Sequence, residues 1–157
     1  MDELERTAET PAVQSVRSAP VKLEMLDALG ALTLAEKAAG SRLVINAEIG
    51  PALAAVDKGE RISLLAPAAA FAAMREPLRR AAAARAGLVA HAIAGHGAED
   101  LAALADLGWG VLASSGPEDS FDLTLVAHRA AEDSGVPFIV VHGLADSASS
   151  AGRAFAM

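Results

Sequence analysis

The sequence predicts an α/β domain in which helices cover both faces of a mainly parallel sheet. Five short apolar segments alternate with helical segments, and strands that are joined through helices pair in parallel. The last strand candidate contains FIVV, a nearly continuous apolar run that is typical of a strand buried on both faces. Only 3% of the residues are aromatic against 53% that are hydrophobic, so small aliphatic side chains must pack these layers closely.

The chain of 157 residues has the length of one domain. Residues 1–20 are polar, contain two prolines and show no sustained apolar period, so we expect a flexible N-terminal segment. We predict a single α/β domain over residues 21–150 and a tail over residues 151–157.

The first predicted element of the domain is a helix. Apolar side chains recur at three-to-four spacing from Val21 onwards, and this period predicts a helix that ends near Gly40. Later apolar runs predict strands at residues 43–45, 62–65, 88–93, 110–114 and 136–142. The helices between them are predicted at residues 51–58, 68–85 with an interruption at Pro77, 98–107 and 117–134.

The predicted helix over residues 117–134 has the clearest ends. Pro117 suits the first helical turn, and the carboxylates of Glu118 and Asp119 suit the positive end of the helix dipole. Gly135 can adopt the left-handed conformation that closes a helix.

Charge and composition exclude several classes of function. The net charge of −7 argues against a nucleic-acid surface, which needs clustered basic side chains. The chain has no cysteine, so it forms no disulfide, thiolate metal site or iron–sulfur ligation of its own. It has no apolar stretch of about 18 residues and its N-terminus is acidic, so we expect a cytoplasmic protein that binds no membrane.

Several motifs in the C-terminal half keep the order and spacing of a known domain. The run from Val89 to Ser150 contains GWGVLASS, the unit DLTLVAHRAAEDSGVPF and an HG that follows FIVV. These motifs resemble the first domain of the pyruvate:ferredoxin (2-oxoacid) oxidoreductase family. The resemblance implies the three-layer α/β fold of thiamin-diphosphate-binding domains. It also implies that this chain corresponds to the family's domain that contacts the pyrimidine ring of the cofactor.

The segment INAEIGPALAAVDKGERISLLAPAAAF resembles the family's helix and strand that carry a glutamate facing the aminopyrimidine ring. The resemblance implies that Glu48 is the cofactor-binding and catalytic carboxylate. A carboxylate on a ring nitrogen favours the imino tautomer that generates the ylid. The alternative is that Glu48 lies at a helix start, three residues before Pro51, and interacts only with the helix dipole.

The chain also departs from the family pattern around the expected substrate. Residues 1–47 do not reproduce the family's Tyr-Pro-Ile-Thr-Pro motif, and GHGAED is shorter than its family counterpart. His91 stands where the family has an arginine that binds the substrate carboxylate, and an imidazole makes a weaker contact than a guanidinium. The candidate substrate-binding residues are His91 and His96, with an interior structural role as the alternative for His91.

The remaining histidines, His128 and His142, are predicted to be structural, with His128 half buried. The four histidines of the chain lack the spacing of a metal site, so no metal ligands are predicted.

We therefore expect a divergent module of an oxidoreductase that has a structural or subunit-interaction role, without complete catalysis of its own. As an enzyme it would be at most part of an oxidoreductase whose remaining site lies on another chain or domain. One alternative is the pyrimidine-side subunit of a thiamine-pyrophosphate-dependent 2-oxoacid oxidoreductase, and another is the N-terminal module of a sulfite reductase flavoprotein. A further alternative, a free-standing module that binds a small molecule, is supported by fold analogy alone.

These alternatives set the expected cofactors and partners. The chain alone is expected to bind no cofactor, and thiamine pyrophosphate with Mg²⁺ would be held only at an interface with another domain. The expected partner is a second copy in a homodimer or a redox subunit.

Overall fold

Five parallel strands form the centre of the computed structural model, which describes residues 23–45, 49–94, 104–143 and 152–155. In chain order the elements are β1 (Leu23–Leu26), α1 (Ala28–Ala38), β2 (Arg42–Ile45), α2 (Ile49–Val56), β3 (Ile62–Pro67), α3 (Ala68–Ala73), α4 (Arg75–Ala83), β4 (Val89–Ala94), β5 (Gly110–Ser114), α5 (Pro117–Ser134), β6 (Phe138–Gly143) and β7 (Gly152–Phe155). The strand order is β2-β3-β4-β6-β5, and every pairing in this sheet is parallel. The predicted α/β class and the parallel sheet are therefore confirmed.

The direction of the strand connections places the helices on opposite faces. From β2 to β4 the chain moves one way along the sheet, and right-handed crossovers put α2, α3 and α4 on the same face. The connection from β5 to β6 runs back, so α5 lies on the other face, beside α1. The larger apolar core lies under α2, α3 and α4, with Phe71, Leu78 and Trp109 among its bulky members.

The face of the sheet that α1 and α5 cover has a smaller apolar core. Its apolar contacts join Val89 and Val140 of the sheet to Ala127 and Ala131 of α5. Between the sheet and the pair of helices α1 and α5 lies a set of buried polar side chains. This face therefore positions the candidate functional groups.

The predicted helix over residues 21–40 begins too early. Leu23–Leu26 is a strand that pairs antiparallel with Gly152–Phe155, so part of the predicted tail is also a strand. The helix begins only after Asp27, whose Oδ1 accepts a hydrogen bond of 2.7 Å from the backbone N–H of Gly30. The physical reason is that pairing with a distant strand outweighs the helical period of LEML. Residues 1–20 lie outside the described residues, and the domain boundaries stay a prediction.

The interruption predicted at Pro77 lies three residues earlier in the structure. Met74 separates α3 from α4 with φ −99° and ψ 19°. Pro77 is then the third residue of α4, in the first turn, where a missing backbone N–H removes no hydrogen bond of the helix. Most of the predicted helix over residues 98–107 lies outside the described residues. No helix in the described ranges is long and apolar enough to cross a membrane.

Gly110 of β5 provides a test of this packing. It lies opposite Phe138 of β6, and a Cβ atom at this position would overlap the Phe138 ring. We expect Gly110→Ala to lower the free energy of unfolding by about 1–3 kcal/mol, measured by urea denaturation, because the ring must move in a packed layer. Gly50→Ala is the matched control, since nothing lies within 4 Å of the added methyl group. An equal effect of both substitutions would contradict the register of β5 and β6.

Candidate functional site

A cavity of about 290 Å³ opens at the carboxyl ends of the central strands. This edge is where open parallel α/β sheets bind their ligands. Leu29 and Leu32 of α1 form one side of the cavity, and Ile45, Leu65 and Ile93 come from the ends of β2, β3 and β4. The lining is mostly apolar, so the cavity suits a small molecule with an apolar body.

Two ionisable side chains also contribute to the lining. Asp27 lies at the start of α1 and is exposed, whereas His142 comes from the end of β6 and is only 2% exposed. His142 therefore connects the cavity to the buried polar side chains between the sheet and its two covering helices.

Alternation along the strands points these polar side chains to one face. Ser63 of β3, His91 of β4 and His142 of β6 are on the side away from the larger apolar core, whereas their chain neighbours Leu64, Ala92 and Val141 belong to that core. Helices α1 and α5 cover the same side and add Glu36, Ser120 and His128.

Glu36 is the centre of this network and is 2% exposed. Its Oε1 atom lies 2.7 Å from Nε2 of His91 and 2.9 Å from Nε2 of His128. The hydroxyl of Ser63 donates to Oε2 at 2.6 Å, and Ser41 lies 2.7 Å from the Ser63 hydroxyl. The carboxylate is thus surrounded by donors from three elements, which satisfies the requirement for a buried charge.

The network continues from His91 to the cavity. Nδ1 of His91 lies 3.0 Å from Nε2 of His142, and Nδ1 of His142 lies 3.0 Å from the hydroxyl oxygen of Ser120. With Glu36 ionised, His91 donates through Nε2 and must accept through Nδ1. His142 consequently donates through Nε2, and its Nδ1 accepts from one of the two hydroxyls beside it, that of Ser120 at 3.0 Å or that of Ser114 at 3.3 Å. The imidazole hydrogen bonds of His142 and His91 therefore both point toward Glu36.

The protonation of these groups follows from burial and hydrogen bonding. Burial opposes the charged form of Glu36, but hydrogen bonds and charge attraction from His128 and His91 hold its pKa well below the usual range. Burial lowers the pKa of His91, although its bond to Glu36 acts in the opposite direction. Burial, aided by the nearby His91, lowers the pKa of His142 to about 3. Near neutral pH Glu36 is therefore ionised, and the imidazoles of His91 and His142 are neutral.

The predicted site residues have different outcomes. Glu48 and His96 lie outside the described residues, so their proposed roles stay predictions. His91 is fully buried and both ring nitrogens have protein partners, so a substrate could reach it only by replacing one of them. A substrate-binding role for His91 also stays a prediction. His128 is buried rather than half buried, because it packs onto Glu36.

Sequence reasoning missed Glu36, which the structure places at the centre of the network. The available signal was its position four residues after Leu32, on the stripe of α1 that faces the sheet. A carboxylate on a buried stripe requires buried donors. Within the described ranges, no group of three histidine, cysteine or acidic side chains could hold a metal ion.

A three-layer parallel α/β fold with a cavity at the carboxyl edge defines a cofactor-binding class of domain. The family model described as pyruvate flavodoxin/ferredoxin oxidoreductase, thiamine diphosphate-binding, matches residues 50–144, which is more than half of the chain. The chain belongs to this family. None of the curated proteins matches it.

The cavity fits only part of thiamine diphosphate. Its volume and apolar walls suit an aromatic ring. A diphosphate needs cationic side chains, a metal ion or a row of backbone N–H donors, and no lysine or arginine is among the described lining residues. The described residues of this chain therefore do not form a complete site for the cofactor.

Proposed function

We propose that this chain is a structural and subunit-interaction module of an oxidoreductase, and that its carboxyl edge is completed by another domain. The observation that carries the proposal is the cavity itself, which has apolar walls and lacks a cationic side chain among its described lining residues. A domain of this family that cannot hold the diphosphate end cannot complete thiamine chemistry alone. We propose that the groups for the diphosphate, which the described lining residues do not include, come from another domain or another chain.

Exposed apolar side chains at the mouth of the cavity support an interaction at this edge. Ile45 is 64% exposed and Leu29 is 51% exposed, and both line the cavity. Large apolar side chains that gather at a cavity mouth are typical of a surface that another chain covers. A second copy of the chain is the proposed partner, and a separate redox subunit is the alternative.

The second candidate function is that of a pyrimidine-side subunit that binds thiamine pyrophosphate with Mg²⁺ at such an interface. The family assignment and the ring-sized cavity favour this candidate. A related proposal is that the chain is the N-terminal module of a sulfite reductase flavoprotein and binds no thiamine pyrophosphate. Binding of the cofactor to the assembled complex distinguishes these two forms.

Leu29→Glu tests the assembly. Because Leu29 is exposed in the first turn of α1, a glutamate suits the helix dipole there and should preserve the fold. We expect the wild-type chain to form a dimer at micromolar concentrations and Leu29→Glu to weaken it at least about tenfold, as measured by sedimentation equilibrium.

Val126→Glu is the matched control for this prediction. Val126 lies on α5 and is also 51% exposed, but it does not line the cavity. Equal weakening by the two substitutions would contradict an interface at the cavity mouth. A monomer at every concentration would contradict the homodimer.

A further inference from the structure

A second cavity, of about 600 Å³, lies between α2 and α4 on the face of the sheet opposite α1 and α5. One side is lined by Ile49, Gly50 and Leu53, and the other side is lined by Met74, Pro77 and Arg80. We call this cavity the α2–α4 groove. It shares no lining residue with the cavity at the carboxyl edge of the sheet, so it is a separate candidate site.

The spacing of the lining residues gives the groove an elongated shape. Met74, Pro77 and Arg80 follow one another at intervals of three residues, so they form one stripe along α4. From Met74 to Arg80 this stripe is about 9 Å long, because an α-helix rises about 1.5 Å per residue. Gly50 keeps the facing side open, since a Cβ atom added there would meet nothing within 4 Å. The groove therefore accepts an extended chain of about seven or eight carbon atoms.

Apolar side chains form the base of the groove. Ile49 is buried in the larger apolar core, and Leu53 and Met74 are half buried against that core. A ligand chain that lies on Leu53 and Met74 removes their remaining apolar surface from water. The flexible side chain of methionine also adapts its shape to an apolar ligand. The base of the groove thus favours a hydrocarbon chain.

Arg80 is the only charged side chain among the described residues that line the groove. Its guanidinium lies 4.0 Å from the Glu76 carboxylate, which is long for an ion pair, and the two side chains are 71% and 75% exposed. The neighbouring Arg79 differs, because its guanidinium lies 2.8 Å from the Asp106 carboxylate. Exposed pairs within one helix contribute little to stability. Arg80 can therefore exchange Glu76 for the anionic group of a ligand.

We propose that the α2–α4 groove binds a small amphipathic anion, whose apolar chain lies along α4 and whose carboxylate contacts Arg80. A guanidinium presents two parallel N–H donors that match the two oxygens of a carboxylate. The ligand class is thus a medium-chain carboxylate. This site lies within one copy of the chain, so it does not depend on the proposed assembly.

Octanoate and octylammonium test the proposal, because they have chains of the same length and opposite charges at pH 7. Each is titrated into the full chain, which is labelled with carbon-13 at the methionine methyl groups, and the Met74 signal reports occupancy of the groove. We expect octanoate to bind with a Kd of about 1 mM or lower and at least about fivefold more tightly than octylammonium. The net charge of −7 favours the cation elsewhere on the surface, so a preference for the anion must arise at Arg80.

Three variants separate the charge from the shape of the groove. Arg80→Gln removes the charge, and we expect it to reduce the preference for octanoate to less than about twofold. Arg79→Gln is the matched control, because Arg79 is the adjacent residue of α4 but does not line the groove, and it should leave the preference unchanged. Gly50→Leu places a side chain in the open space and should weaken octanoate binding at least about tenfold. Its urea midpoint, measured in parallel, shows whether this variant folds.

Three results would overturn the proposal: a Met74 signal that neither probe moves, equal affinity for the two probes, or a preference that Arg80→Gln leaves unaltered. Undiminished octanoate binding by a folded Gly50→Leu variant would also contradict it. If Gly50→Leu did not fold, the comparison of Arg80→Gln with Arg79→Gln would still decide. These results are independent of the dimer measurement at Leu29. A chain that binds octanoate but stays monomeric would contradict only the proposed assembly.

Discussion

Replacing Glu36 with alanine should lower the free energy of unfolding by about 3–5 kcal/mol, as measured by urea denaturation. The substitution leaves the N–H groups of His91 and His128 and the hydroxyl of Ser63 without their acceptor in a site that is closed to solvent. Each buried donor that loses its partner costs about 1–3 kcal/mol. The loss of side-chain volume under α1 adds a cavity term.

The matched control is Glu60→Ala. Glu60 forms an exposed ion pair with Arg42 at 3.2 Å, so its removal should change the free energy of unfolding by less than about 1 kcal/mol. If Glu36→Ala were as mild as this control, the buried network would not stabilise the packing of α1 on the sheet.

Lowering the pH from 7 to 4 should destabilise the chain by about 3 kcal/mol for each histidine that stays neutral in the folded state. The pKa of His142 is lowered from 6.5 to about 3, and the pKa of His91 is lowered as well. A group whose folded pKa is depressed stabilises the protein above its unfolded pKa. That stability is lost as the pH falls from about 6.5 toward the folded value. The lowered pKa of Glu36 acts in the same direction below pH 4.5.

The measurement is the urea midpoint at several pH values between 7 and 4. His142→Gln should reduce the slope over this range, because it removes one of the titrating groups, although the variant should be less stable at pH 7. A wild-type midpoint that stays constant from pH 7 to pH 5 would show that the folded and unfolded chains bind the same number of protons over this range, and it would contradict the lowered pKa values of His91 and His142.

Local signals in the sequence were sufficient for several elements. The α5 helix spans Pro117–Ser134 as predicted and ends at Gly135, which has a left-handed φ of 66°. The β5 strand spans Gly110–Ser114 as predicted. The residues that begin and end these segments lie within or next to them in the sequence, so their bounds can be predicted without knowledge of distant contacts.

Where distant contacts decide the structure, the sequence was not sufficient. The strand Leu23–Leu26 depends on pairing with Gly152–Phe155, and its four residues fit a helical period equally well. The buried polar network around Glu36 could not be predicted for the same reason. His91, His128 and His142 could be predicted one by one as structural residues, but their meeting at Glu36 depends on α1 and α5 packing side by side, which no local spacing encodes.

Titration of thiamine pyrophosphate with Mg²⁺ into the purified chain tests most directly the claim that this domain is an incomplete site. The titration is followed by calorimetry, with the mass in solution measured in parallel. We expect no saturable heat from the chain as a monomer, because its described cavity residues provide no cation for the diphosphate. Saturable binding of one cofactor per monomer would contradict the claim and would show that a single copy of the chain completes the site.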